Sequence, residues 1–201
     1  MISDNWESVN YSVCVIMPPR DLWGPFVEIK KNHMNPRIKR PPYPHITLAA
    51  PFVHPKHYTS AKIKIREALK NIKQFEINFS QFQLFKNYNS TTLYLAPDST
   101  TEVTQLYQAF MSALPQSIVQ KQNNFEPHIG VGFFKGKNNE ADTLQQKYQS
   151  TWKPLKFIVQ EIYFLRRRAQ DLPWEVEEIV PIGEKELPPL FKIGDNTDSS
   201  K

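Results

Sequence analysis

The sequence predicts an α+β protein in which antiparallel sheets carry helices on their outer faces. Three observations point there. Strand-like runs follow one another directly in two places, within 75–95 and within 154–182, whereas a doubly wound parallel sheet needs a crossover between successive strands. A short motif occurs once in each half, Pro44-His45-Ile46-Thr47-Leu48 and Pro127-His128-Ile129-Gly130-Val131, with the histidines 83 residues apart. No linker divides the 201 residues, so the chain reads as two similar lobes that meet at the histidines around a shared core.

The elements follow in order. Tyr11–Met17 is a strand broken by Pro18-Pro19, and the chain's one cysteine, Cys14, reads as inert core within it. Asp21 is placed to cap a helix running to about Asn32, with Trp23, Phe26, Val27 and Ile29 as its apolar contacts. His33–Tyr43 is a basic, proline-rich loop holding Arg37, Lys39 and Arg40, and it leads into the first motif. The strand at His45–Ala50 follows, then a loop with His54 and His57. Their spacing suits zinc, but nothing nearby supplies two further ligands, and they read as exposed loop residues.

Thr59–Ile72 is a helix whose stripe is Ala61, Ile65, Ala68, Leu69 and Ile72, with lysines on its wet face. Phe75–Phe85 alternates as one strand and pairs with Thr91–Leu95 across the turn Asn87-Tyr88-Asn89-Ser90. Ser99 or Thr100 caps a helix to about Leu114, whose aromatic stripe is core. The second motif strand, His128–Phe134, comes next, and 136–150 is a polar turn and helix. Pro154–Arg168 is strand-rich and ends in Arg166-Arg167-Arg168. Trp174–Ile182 is the last strand. Residues 1–8 read as a flexible N-terminus, 9–183 as one domain, and 184–201 as a disordered tail.

Composition narrows the function. Apolar residues make up 40% of the chain, enough for a core, yet no apolar run approaches the ~20 residues of a spanning helix. Residues 1–10 are polar and acidic, unlike a secretory signal. A lone cysteine forms no disulfide within the chain, which permits a cytoplasmic or nuclear setting. The net charge of +5 favours a compact phosphate-bearing partner, a nucleotide or short RNA end, over a long duplex. No cofactor, metal or membrane partner is expected, and the chain is expected to be a monomer.

Proline before each histidine suits a strand entrance, where its missing N–H does no harm. Alternation then puts His45 and Thr47 on one face, and His128 and Gly130 on one face likewise. The histidines are expected on adjacent central strands of two antiparallel sheets, facing one cleft. Imidazole gives or takes a proton near neutrality. A phosphodiester needs a base for the attacking water or hydroxyl and an acid for the leaving oxygen. Two opposed histidines supply both, and Thr47 can donate to a non-bridging oxygen. Either fragment alone is more often a packed or surface histidine. The matching contexts make the pair informative.

These residues resemble the two-histidine (2H) phosphoesterase superfamily, the 2′-5′ RNA ligase-like and cyclic nucleotide phosphodiesterase-like proteins, marked by paired His-x-Thr/Ser-apolar motifs half a chain apart. His45-Ile46-Thr47-Leu48 matches fully. His128-Ile129-Gly130-Val131 matches at the histidine and apolar positions. The opening, with Pro18-Pro19, a helix, a basic loop and Pro51-Phe52, and the closing run from Ile162 to Gly183 match as well. The resemblance implies a bilobal fold with a pseudo-twofold and a metal-independent phosphodiesterase acting on a 2′,3′-cyclic phosphate or 2′-5′ linkage. It implies His45 and His128 as catalytic groups, with Thr47, Gly130, Arg37, Tyr43, Arg166 and Trp174 binding phosphate or substrate. Gly130 departs from the family, whose second hydroxyl usually stands there; loss of such a donor costs on the order of ~10²-fold in rate. The alternatives are a catalytically weakened nucleotide- or RNA-binding module and, more distantly, a protein-interaction domain with a relic histidine pair.

Overall fold

A computed structural model describes residues 12–34, 41–115, 124–136, 139–169 and 172–184. Among them run nine strands and four helices. In order they are β1 (Ser12–Ile16), α1 (Trp23–His33), β2 (Ile46–Ala49), α2 (Tyr58–Leu69), β3 (Phe75–Phe79), β4 (Gln81–Asn87) and β5 (Ser90–Ala96). There follow α3 (Thr101–Ser112), β6 (Ile129–Lys135), α4 (Glu140–Thr151), β7 (Leu155–Val159), β8 (Glu161–Arg166) and β9 (Glu175–Pro181). Seven strands form one antiparallel sheet in the order β4-β5-β6-β2-β1-β8-β9, and β3 pairs with β7 in a second. The expected class and its two antiparallel sheets hold. Both motif strands, however, are neighbours within the larger sheet.

Two runs read as single strands are each divided. Ser80 separates β3 from β4, and Gln160 separates β7 from β8. At each point the chain leaves the small sheet and joins the large one. The backbone N–H of Ser80 turns instead to the Asp98 carboxylate, at 3.1 Å. Asp21 does not cap α1. Arg20–Leu22 forms a 3-10 turn, and the helix begins at Trp23 without a side-chain cap. The expected N-terminal segment 1–8 and, but for Glu184, the tail 184–201 lie outside the described residues.

Every residue of β1 is buried, as befits a β-branched run with covered faces. Cys14 and Ile16 face the main core, to which all four helices contribute, among them Phe26, Ile65, Phe110 and Ala141. Val13, Val15 and Met17 face the other way and pack with Leu165 and Trp174. The helices thus cover one face of the sheet and leave the opposite face to the cleft. Burial pushes the Cys14 thiol well up, in keeping with an inert core residue. Edge strand β4 is held by α4. Gln145 donates to the Phe82 carbonyl at 2.8 Å, and the Gln149 side chain accepts from the Phe82 N–H at 2.8 Å, which covers the edge.

The pairings reveal the pseudo-twofold. Exchange of β1 with β5, β2 with β6, β3 with β7, and β4 with β8 leaves every contact between them unchanged. The axis passes between β2 and β6, where Ile46 faces Ile129. The symmetry reaches single residues. Val15 pairs with Thr47 and Cys14 with Ala49, with a bulge between. Tyr94 pairs with Gly130 and Leu93 with Gly132, with a bulge at the equivalent step. Bulges re-aim side chains and sharpen twist, and both stand directly beside the motif residues.

Candidate active site

Each histidine sits one residue before its strand, where the backbone turns in from a proline. Each is fixed in the same way. His45 Nδ1 lies 2.6 Å from the Tyr43 carbonyl oxygen, and His128 Nδ1 lies 2.7 Å from that of Glu126. A carbonyl oxygen only accepts, so Nδ1 carries a proton in both rings. Nε2 is then the nitrogen whose proton comes and goes.

Antiparallel continuation of the Ile46–Ile129 pair sets Thr47 opposite His128 and Gly130 opposite His45. In such a pair the two histidines are diagonal neighbours, with a separation of roughly 7–8 Å between backbones and somewhat less between Cβ atoms. One pocket is lined by His45, Thr47, His128 and Gly130 together with Lys30 and Thr92. A Cβ added at Gly130 would meet one atom within 4 Å, the Thr92 methyl at 4.0 Å. The gap left by the missing side chain is therefore open.

The walls differ between the lobes. Beside His128, the rings of Phe85 and Tyr94 stack with centroids 4.0 Å apart, and both meet the imidazole at a steep angle, at 4.9 and 5.2 Å. The Tyr94 hydroxyl donates to Gln83 at 3.0 Å, and burial pushes its pKa up. On the His45 side, the Tyr43 hydroxyl donates to the Trp174 carbonyl at 2.8 Å, and its ring lies 4.9 Å from that of Trp23. Burial raises the Tyr43 phenol above its ordinary value, against the pull of Arg20. Trp174 is buried under the Arg167 guanidinium, 5.2 Å from its ring centroid.

Of the residues expected at the site, the structure brings His45, Thr47, His128 and Gly130 into one pocket. Tyr43 and Trp174 pack with Val13, Val15 and Met17 and are not among the residues that line it. It does not bring Arg166 there. Arg166 pairs with Ser12, whose hydroxyl bonds Val53 and Tyr58 in the main core. Arg166 thus shares the helix-covered face and reaches Glu177 at 3.5 Å. Arg167, one residue on, has the opposite phase. Arg37 lies outside the described residues.

Sequence reasoning passed over Lys30, Thr92, Phe85 and Tyr94. Lys30 is buried, and its ammonium donates to the Tyr43 carbonyl at 2.9 Å, the same oxygen that holds His45. The period-two pattern of β4 and β5 could have placed Phe85, Thr92 and Tyr94 on one face. Nothing local marks Lys30, which the 41–43 segment buries. Among the described residues, no group of three His, Cys, Asp or Glu could hold a metal ion. No described helix is long and apolar enough to cross a membrane.

The family model described as the 2′-5′ RNA ligase superfamily matches residues 18–171. No curated protein matches the sequence. Among solved structures, TT0787 of Thermus thermophilus gives a TM-score of 0.59 at 14% identity, over 87% of this chain and 99% of its own. E. coli LigT complexed with 3′-AMP gives 0.59 at 13%, over 86% and 98%. Kluyveromyces marxianus Usb1 with uridine monophosphate gives 0.50 at 10%, over 88% and 99%. At these identities the likeness is one of fold.

Proposed function

The chain belongs to the 2′-5′ RNA ligase superfamily, within the two-histidine phosphoesterases, and from that premise we propose a metal-independent phosphodiesterase acting on a 2′,3′-cyclic phosphate or 2′-5′ linkage of a nucleotide or short RNA. The observation that carries this reading is the matched anchoring of two imidazoles in one pocket. Each Nδ1–H is held by the carbonyl two residues back, so both Nε2 atoms are set for proton transfer. That like-folded proteins were crystallised with 3′-AMP and with uridine monophosphate supports a nucleotide ligand. Residues 9–183 are proposed as the functional unit.

For a cyclic phosphate, one neutral imidazole takes a proton from water as the oxygen attacks phosphorus. The bond from phosphorus to one ribose oxygen breaks, and the other imidazolium gives its Nε2 proton to that oxygen. One water is consumed and the monoester leaves. Thr47 donates to a non-bridging oxygen as charge builds there. Tyr43 and Trp174, packed beside the Val15 that pairs with Thr47, are proposed as contacts of the nucleoside. The bare Gly130 favours a second reading, a binding module with weakened chemistry.

The test incubates 2′,3′-cyclic nucleotides, 2′-5′ oligoadenylate and RNA oligonucleotides with the protein in chelator, with products read by phosphorus NMR. Turnover is expected, with a bell-shaped pH–rate profile from one neutral and one protonated imidazole. His45→Ala and His128→Ala should each remove most of it. Full activity in either variant would sink the paired mechanism. Nucleotide binding without turnover in the starting protein would favour the second reading.

A further inference from the structure

The two lobes place their hydroxyls differently. In the first, Thr47 on β2 carries one, and its neighbours on β1 are apolar: Val15 directly opposite, and Val13 two residues further on. The pseudo-twofold equates Val13 with Thr92, because Val15 and Tyr94 hold the same place opposite residues 47 and 130. In the second lobe the motif position is Gly130 and the neighbouring strand supplies Thr92. The hydroxyl has moved one strand across.

Thr92 is placed for the task. It lines the pocket that holds both histidines and is only half-buried. Its methyl carbon stands 4.0 Å from where a Cβ of residue 130 would be, and is the one atom within that range. A one-third turn about χ1, a step between staggered rotamers, carries Oγ1 into the place of the methyl, beside the gap, and the methyl into that of the Cβ hydrogen. No hydrogen bond among the described residues engages that hydroxyl, so the turn breaks none. Phe85 and Phe133, its partners on the adjacent strands, carry no hydroxyl, and that of Tyr94 is already bonded to Gln83.

We propose that Thr92 donates to the substrate phosphate in place of the hydroxyl that residue 130 lacks. The inference rests on the reading of this cleft as a phosphoester site. Two hydroxyls, Thr47 and Thr92, then approach the phosphate from the two lobes. Thr92 acts as a phosphate-binding residue whose donor strengthens as charge develops on oxygen.

The experiment compares wild type with Thr92→Val, Thr92→Ser, Gly130→Thr and Thr92→Val/Gly130→Thr. It reads 3′-AMP affinity by calorimetry and kcat and KM on 2′,3′-cyclic CMP. Thr92→Val keeps the shape, so its melting temperature should stay at the wild-type value. It should weaken 3′-AMP about tenfold and lower kcat/KM roughly 10²-fold. Thr92→Ser should retain both, and Gly130→Thr in the Thr92→Val background should recover most of the loss. Thr92→Val equal to wild type in affinity and turnover would overturn the inference and leave the phosphodiesterase reading standing. A Thr92→Val loss that a folded Gly130→Thr double variant does not recover would overturn the claim that one position replaces the other. Wild type with neither 3′-AMP affinity nor turnover would overturn both readings.

Discussion

Two glycines on β6, two residues apart, should respond to alanine in opposite directions. At Gly132 a Cβ would stand 3.0 and 3.2 Å from the Phe134 ring and 3.3 Å from the His33 Cβ. Neither neighbour is at liberty to yield. Phe134 is 6% exposed, and the His33 ring is tied to the Tyr148 hydroxyl at 2.6 Å. Overpacking of this kind costs about 1–3 kcal/mol, against which alanine gains roughly 0.4–1 kcal/mol by restricting the unfolded chain. At the midpoints of these ranges the net loss is about 1.3 kcal/mol, which for a domain of this size lowers Tm by roughly 3–5 °C. At Gly130 nothing lies closer than 4.0 Å, so only the unfolded-state gain remains, and Tm should rise by about 1–4 °C. Thermal unfolding followed by circular dichroism at one pH measures both. Gly132→Ala melting with wild type, or Gly130→Ala melting several degrees below it, would refute the packing argument and the open space on which the Thr92 inference depends.

Lys30→Met should lower kcat about ten- to a hundredfold, since the ammonium orients the carbonyl that holds His45, and a charged hydrogen bond contributes roughly 1.5–3 kcal/mol. KM should move less, and a wild-type kcat would refute the positioning role. His33 gives a pH dependence. Its imidazole is held below the ordinary 6.5, first by burial and then by Lys147, against Glu140. The fold therefore prefers the neutral ring. That contribution is complete above the unfolded value and is lost as pH falls through the folded one. Urea melts from pH 7 to 5 should show a steeper loss in wild type than in His33→Gln, and parallel slopes would exclude this origin.

Much of the molecule was legible in the sequence because it rests on local periodicity. The alternation at His45–Thr47 and His128–Gly130 fixed which residues share a face, and the stripes at Ala61–Leu69 and Val103–Met111 fixed two helices. Matching proline–histidine contexts were enough to place two imidazoles in one cleft. The boundaries at Ser80 and Gln160 were not legible, because the chain changes sheets there without a glycine or proline to mark it. Arg166 and Arg167 differ only in phase, and phase at a strand end is set by register against β1, a partner some 150 residues earlier. Lys30 became part of the site only when residues 41–43 closed over it, and Thr92 only when β5 paired with β6. Local order along the chain was enough to pick out the two histidines and the face each shares with the residue two along, since those depend on residues next to one another. The tertiary structure alone decided which side chains surround them, because pairing strands from both halves brings together groups that no local pattern relates.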